Sequence, residues 1–415
     1  MTHIGRRTAS AAPLLWCALL LVQCGGAEHT AADRPTGPEE GRGALVFHLS
    51  DSVAARIPAI RDSAGIALFN GAEQILLAPE AGGCYHVPVF DGRLCIPEDT
   101  MGHWTDPLRT GEELYSVDVE WVPAERPRID ADTATQREVW RMEFGNSNPW
   151  YGDLVLTTHT DGSALGTIET ATGDFRFLHG HTGEGKLTLQ TFDGAHLFLF
   201  TAETHVTDSL VNGRFYSGNH YSTTFRAHRR SDSDAALSEG KQASWTSLPI
   251  GYTAEDLNGD AQEWWWDPAD SITHIISVMG SWCPNCMDEH RLISSLMDEY
   301  PDVEVHTLAF ERGLDRPEGQ TKARDRLRRY VREMGLDQYG NRWQVLLAGP
   351  ASKTEAQQRL PFLDKVVSFP TTIVLSPGAA SPWIHSGFNG PATGAKYDLE
   401  RSRFVTAING PTESR

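Results

Sequence analysis

The chain has 415 residues, 40% hydrophobic and 22% charged, an ordinary globular balance with room for two domains at roughly 100–200 residues each. A formal net charge of −19 argues against a nucleic-acid partner, which needs a basic face. Six cysteines fall into three groups along the chain: Cys17 with Cys24, Cys84 with Cys95, and Cys283 with Cys286.

Residues 1–24 read as a targeting segment. Arg6 and Arg7 supply a positive start, and residues 12–22 form an apolar run too short to span a bilayer as a mature helix. The run ends in LLVQCGG, which resembles a bacterial lipobox, where the cysteine becomes the lipidated first residue; Gln23 stands where a small residue is usual. Lipidation at Cys24 is the leading reading, beside plain secretion and an uncleaved anchor. Export places the mature chain in an oxidising space where disulfides persist. The expected location is the periplasmic side of the cell envelope, anchored to a membrane by lipid.

Residues 25–43 hold almost no large apolar side chain and read as a flexible tether. Short alternating or apolar runs follow, among them ALVFHL (44–49), GIALF (65–69), YSVDVEWV (115–122), DLVLTT (153–158), KLTLQTF (186–192) and HLFLFTA (196–202). Gly, Asp and Asn punctuate them, and no long helical period appears. The pattern predicts one β-rich domain over 44–227, a sandwich or barrel. Within it, CYHVPVFDGRLC brings Cys84 and Cys95 to a hairpin as a candidate structural disulfide, with buried free thiols as the alternative. GHTGEGKL (180–187) nearly spells a phosphate loop, but Leu187 stands where the motif needs a hydroxyl, so a hairpin turn is expected.

Residues 228–248 are polar and aperiodic and read as a linker. Strand and helix alternate over 249–415, which implies an α/β sheet with helices on both faces. HIISVMGS (274–281) is a buried strand. The stretch from Cys283 to about Tyr300 is helical, with Ile293, Leu296, Met297 and Tyr300 on one face. VEVHTLAF (303–310) is a second strand. Residues 321–335 form a helix with Leu327, Tyr330, Val331 and Met334 inward, Gly335 at its end and its arginines on a solvated face. WQVLLAG, TTIVL and PWIHSGF supply strands, and DLERSRFVTAI a last helix. DLNGDAQE (256–263) has Ala261 where a calcium loop needs glycine. Trp264, Trp265 and Trp266 read as packing of an edge strand near the active site.

Cys283 and Cys286 sit two residues apart at a strand-to-helix junction, in GSWCPNC. A helix start offers unpaired N–H groups and about half a positive charge, which favours a thiolate. The first sulfur is then exposed, and the second, one turn deeper, can resolve a mixed disulfide. Zinc would need two more soft ligands; His290 leaves the set one short. A purely structural disulfide over so short a loop constrains little entropy. Redox exchange is the leading reading, with no metal and no cofactor expected.

SVMGSWCPNCMDE followed by SFPTTIVL resembles the thioredoxin superfamily, and within it the TlpA/ResA-like extracytoplasmic branch. The resemblance covers about 249–409. It implies a thioredoxin-like domain, a redox-active pair at Cys283 and Cys286, flanking positions Trp282, Pro284 and Asn285, and a cis-proline loop at Phe369, Pro370 and Thr371. It also implies an acidic residue at Glu289. GTIETATGDFRFLHG, FDGAHLFLF and GRFYSGNHY resemble the β-rich leader of Bacteroidetes-type lipoproteins. Two positions depart from the family. Ser277 stands where cytosolic thioredoxin has a buried aspartate, so Glu289 is expected to carry the proton. Arg291 stands where proline usually kinks the helix.

The leading function is thus an extracytoplasmic thiol–disulfide oxidoreductase that reduces disulfides in exported proteins. Cys283 attacks, Cys286 resolves, Glu289 handles a proton and Pro370 presents the substrate. The partners implied are exported thiol or disulfide proteins and a membrane thiol-electron donor. Two alternatives stand beside it: a peroxiredoxin-like peroxidase, although Gly280 replaces the threonine that chemistry favours, and a binding lipoprotein whose β-rich half carries the main function.

Overall fold

The structure, a computed structural model, describes residues 41–97, 101–109, 114–123, 134–145, 147–205, 208–231, 237 and 240–410. Cys17, Cys24 and nearly all of the tether lie outside the described residues. Among the described residues no helix is long and apolar enough to cross a membrane.

Three bodies follow one another. The first is a closed barrel of β1 (Arg42–Ser50), β2 (Val53–Asp62), β3 (Gly65–Asn70), β4 (Glu73–Glu80), β5 (Cys84–His86), β6 (Arg93–Cys95), β7 (Gly102–Asp106) and β8 (Tyr115–Pro123). Each strand runs antiparallel to the next, and β8 returns to β1. The two-residue side-chain period builds it: Tyr115, Val117 and Val119 of β8 face inward while Ser116 and Asp118 face water. Cys84 lies directly opposite Cys95 on the β5–β6 ladder, and a disulfide joins them. Replacing both by alanine should cost about 3 kcal/mol by the loop-entropy estimate. The denaturant midpoint of the oxidised proteins measures it, and an unchanged midpoint would show that the bond adds nothing.

The second body comprises β9 (Ala134–Phe144), β10 (Trp150–His159), β11 (Ser163–Thr170), β12 (Gly173–Asp174), β13 (Leu178–Gly183), β14 (Lys186–Phe192), β15 (Leu197–His205), β16 (Ser209–Ser217) and β17 (Tyr221–Arg229). β17 pairs with β9, and β10 pairs with both β9 and β11, so eight of these strands close into a second barrel with β12 appended to β11. Phe144, Phe200, Phe215 and Phe225 fill it. The span 44–227, expected as one β-rich domain, therefore holds two barrels. Alternation marks strands but not the point where a sheet closes, and the polar residues 124–133 between β8 and β9 look like any other turn.

The barrels are locked together. Gln190 of β14 uses its amide as a piece of strand, accepting from Arg56 N at 2.8 Å and donating to Arg56 O at 2.6 Å. Phe192, also of β14, packs 4.9 Å from both Phe47 and Trp104 in the first barrel's core.

The third body holds β18 (Gly251–Glu255), β19 (Ala261–Trp265), β20 (Thr273–Met279), α1 (Pro284–Glu299), β21 (Val303–Glu311), α2 (Gly319–Glu333), β22 (Trp343–Pro350), α3 (Lys353–Arg359), β23 (Thr371–Leu375), β24 (Trp383–Ser386) and α4 (Ala395–Asn409). The sheet order is β19-β18-β22-β21-β20-β23-β24, with β20, β21 and β22 parallel and the remaining pairs antiparallel. β20 is buried throughout, so its two faces both carry apolar residues. Ile275 and Met279 pack with Leu292 of α1, Leu327 of α2 and Phe404 of α4; Ile276 and Val278 pack with Ala356 of α3 and with Tyr252 and Phe362. Helices thus cover both faces.

Two expectations change. The arginines of α2 form a solvated face only in part: Arg328 and Arg332 stay open to water, but Arg326 is buried against Asp91 and Glu311, and Arg329 also meets Asp91, because the loop between β5 and β6 docks on this helix. The polar linker over 228–248 is partly structural: β17 runs to Arg229, Ser244 N donates to Asp364, and Gln242 accepts from Ser386 N.

Candidate redox site

β20 delivers the chain into Gly280–Trp282, and α1 starts at once. Pro284 holds the first helical position, where its fixed φ suits the helix and its missing N–H costs nothing. Cys283 is the N-cap, and its Sγ accepts the N–H of Cys286 at 3.2 Å. The two cysteines are joined by a disulfide. Cys286 is fully buried and Cys283 only 7% exposed. On reduction, the N–H groups and dipole of α1 favour a thiolate at Cys283 over one at Cys286.

The Phe369–Pro370 peptide bond is cis, and Phe369 O lies 3.6 Å from Cys283 Sγ. Thr371 bonds back to Ser368 O at 2.8 Å and fixes this turn at the start of β23. Trp282 forms the other wall. Its Nε1 donates to Phe310 O at 2.9 Å, its ring meets Phe369 edge-on at 5.6 Å, and the Arg312 guanidinium lies 4.2 Å over it.

Beneath the sulfurs is a buried polar cluster. Glu289, one turn beyond Cys286 on α1, accepts from Ser277 Oγ at 3.0 Å and Thr372 Oγ1 at 2.5 Å. Burial pushes its pKa up to about 7, against the opposing pull of those two hydrogen bonds. Ser277 also meets His290 Nε2 at 3.1 Å, while Tyr330 OH holds His290 Nδ1 at 2.8 Å. Both ring nitrogens of His290 are therefore engaged, and burial lowers it to about 3. α1 runs without a break through Arg291, whose guanidinium reaches Asp288 at 3.1 Å.

Pro284 and Asn285 face the second barrel. Asn285 Nδ2 donates to Asp174 O and Phe388 O, each at 3.2 Å, and β12 forms a parallel bridge from Gly173 to Phe388. Arg176 donates to Pro284 O at 3.1 Å and pairs with Asp288 at 2.6 Å. The same guanidinium pairs with Glu73 of the first barrel and lies 3.9 Å from Asp193 of the second. Asp174 binds Gly390 N at 2.7 Å and Arg176 N at 2.9 Å; burial pushes it up to about 6. One arginine thus ties both barrels to the helix that carries the sulfurs.

No family model matches the chain, and no curated protein matches it. Part of the chain aligns with solved structures at low identity. A DsbF homologue from Corynebacterium diphtheriae is 17% identical, with 42% of this chain and 98% of that one covered at a TM-score of 0.28. A thiol-disulfide oxidoreductase from Bacteroides fragilis is 18% identical, covering 36% of this chain and 96% of its own at 0.23. A secreted Mycobacterium tuberculosis disulfide oxidoreductase is 14% identical, covering 37% and 94% at 0.24.

The structure brings Trp282, Cys283, Cys286, Phe369, Pro370 and Thr371 together, sets Glu289 behind them, and keeps Cys84 and Cys95 in the first barrel. Sequence reasoning missed Asp174, Arg176, Asp288, His290 and Thr372 as parts of this site. The tryptophans expected near it lie elsewhere: Trp264 packs on His274, at the start of β20, whereas Met279 at its end leads to the dithiol.

Proposed function

We propose that the chain is an extracytoplasmic thiol–disulfide oxidoreductase that reduces disulfides in exported proteins. The observation that carries this reading is Cys283 Sγ at the N-cap of α1, with Cys286 N–H on one side and Phe369 O on the other. The Cys283 thiolate attacks one sulfur of a substrate disulfide, forming a mixed disulfide and releasing one substrate thiolate, which takes a proton. The Cys286 thiol loses its proton toward Glu289 and attacks Cys283 Sγ, releasing the second substrate thiolate and closing Cys283–Cys286. Two electrons pass to the substrate, and a membrane thiol-electron donor restores the dithiol. Phe369 O and the adjoining Pro370 turn offer an edge against which an extended substrate segment pairs. The Cys84–Cys95 bond supports an oxidising location. Cys24 is the proposed lipid anchor.

Cys283→Ser should abolish reduction of a protein disulfide, and Cys286→Ser should accumulate mixed disulfides recoverable on a non-reducing gel. Adducts from Cys283→Ser and none from Cys286→Ser would reverse the roles. Reduction that survives in both variants would reject the dithiol as the site.

A further inference from the structure

At the end of the third sheet away from the dithiol, β20 and β21 start side by side. Their parallel register sets His274 against Glu304 and Ile276 against His306, so His274, Glu304 and His306 project from one face. That face is otherwise apolar, packed with Ile276, Leu308 and Tyr252. Both imidazoles are buried, at 3% and 2% exposure, whereas the Glu304 side chain is 35% exposed and opens the cluster to water. His274 Nδ1 lies 3.1 Å from His306 Nε2 and 3.7 Å from Glu304 Oε2, and one ligand atom from each residue fits within 4.8 Å of the others.

The geometry points to a divalent transition-metal site, zinc above all, made by His274 Nδ1, His306 Nε2 and Glu304 Oε2 and separate from the dithiol. Distance supports it first. A tetrahedron on bonds of about 2.0–2.1 Å has ligand separations of roughly 3.3–3.4 Å, between the two separations at His274 Nδ1. The outer partners support it second. A ligating histidine needs its other nitrogen held, and here Asp270 Oδ2 holds His274 Nε2 at 3.1 Å while Tyr252 OH holds His306 Nδ1 at 2.8 Å. Trp264 lies 4.6 Å over His306 and 5.1 Å over His274, keeping both rings in place. The donor set is third: two imidazoles and one carboxylate suit zinc, not calcium or magnesium, which take oxygen ligands.

Metal binding needs one internal proton shift. Without metal the donors run from Tyr252 O–H to His306 Nδ1, from His306 Nε2–H to His274 Nδ1, and from His274 Nε2–H to Asp270. With metal, His306 carries its proton on Nδ1 and donates to Tyr252 OH, freeing Nε2 as a ligand. His274 keeps its tautomer. No proton leaves the rings, and the carboxylate of Glu304 offsets one of the two positive charges. Bound metal cross-links the starts of β20 and β21.

The test is a titration of the oxidised protein, in which the Cys283–Cys286 pair has no thiolate to offer, with ZnCl2 in a non-coordinating buffer. One equivalent should bind, the unfolding midpoint should rise with free zinc, and Co2+ should give the visible bands of a four- or five-coordinate site. Glu304→Gln, at a half-exposed position, should bind at least tenfold more weakly while folding normally, and His306→Gln should lose the equivalent. The Cys283→Ser, Cys286→Ser double variant should bind as the wild type does. No zinc-dependent shift of the midpoint would overturn the proposal, as would equal affinity in the wild type and Glu304→Gln.

Discussion

Arg176→Met should lower the stability of the folded chain by about 3–5 kcal/mol and speed alkylation of the reduced dithiol. The guanidinium is 2% exposed and faces the buried Asp288 and Asp193 and the partly buried Glu73. Methionine keeps the stem's volume and removes the charge, leaving the three carboxylates without the cation they share; Arg291 reaches only Asp288, from the more exposed side. The loss should shrink as the pH falls, because protonation relieves the repulsion; urea midpoints at pH 8 and pH 5 read this directly. Arg176 also holds Pro284 O, so its loss removes one of the two holds of the second barrel on the first turn of α1 and leaves only Asn285. Faster reaction of Cys283 with iodoacetamide is the expected sign. Gly173→Ala tests the same contact without touching a charge. Gly173 has φ +148, and an added Cβ would come within 2.9 Å of both Asn285 Nδ2 and Phe388 O. It should also speed alkylation. If Arg176→Met left both midpoint and alkylation rate unchanged, the barrels would have no hold on the redox helix.

The contrast between these residues and the cysteines explains what the sequence made legible. Trp282 through Cys286 are contiguous, and their chemistry follows from a strand ending where a helix begins. Glu289 is one helical turn from Cys286, so its neighbourhood also follows from local spacing. Ser277 and Thr372 lie on β20 and β23, which pair directly at these two residues, yet only the sheet order reveals that both bond to Glu289. Arg176 bonds to residues 108 and 112 positions away, and its own stretch, TGDFRFLHG, reads as turn and strand. Its backbone adds a signal invisible in sequence: a non-glycine residue at φ +56, held by the Asp174 carboxylate on its N–H. Arg326 and Arg329 of α2 follow the same logic: a helix with charges opposite an apolar stripe reads as solvated until the Asp91 loop of the first barrel covers part of the charged side. His274 and His306 each look like a buried histidine in a strand, and only the register of β20 against β21 puts them together.

Glu289→Gln should slow disulfide reduction near neutral pH by roughly 100-fold, the lower end of what a positioned proton acceptor contributes. The carboxylate lies one helical turn beyond Cys286 and is fully buried, and Ser277 and Thr372 orient both its oxygens. A pKa near 7, raised by burial, lets it accept the Cys286 proton during resolution and return it afterwards. Glutamine keeps the shape and cannot take the proton. The wild-type rate should therefore rise through pH 7 in a step that the variant lacks. Stability should move the opposite way. The folded pKa lies above the usual value of 4.5, so the stabilisation from holding the proton is fully present below about pH 4.5 and is lost as pH rises through about 7. That loss amounts to roughly 3 kcal/mol in the wild type and is absent in the variant. The variant's deficit in stability relative to the wild type should therefore be larger at pH 5 than at pH 8. Pre-steady-state rates between pH 6 and 8 give the first profile and urea midpoints the second. Superimposable rate profiles would remove Glu289 from the reaction, even with the pH dependence of stability intact, and would assign the buried carboxylate to the packing of α1 against β20 and β23.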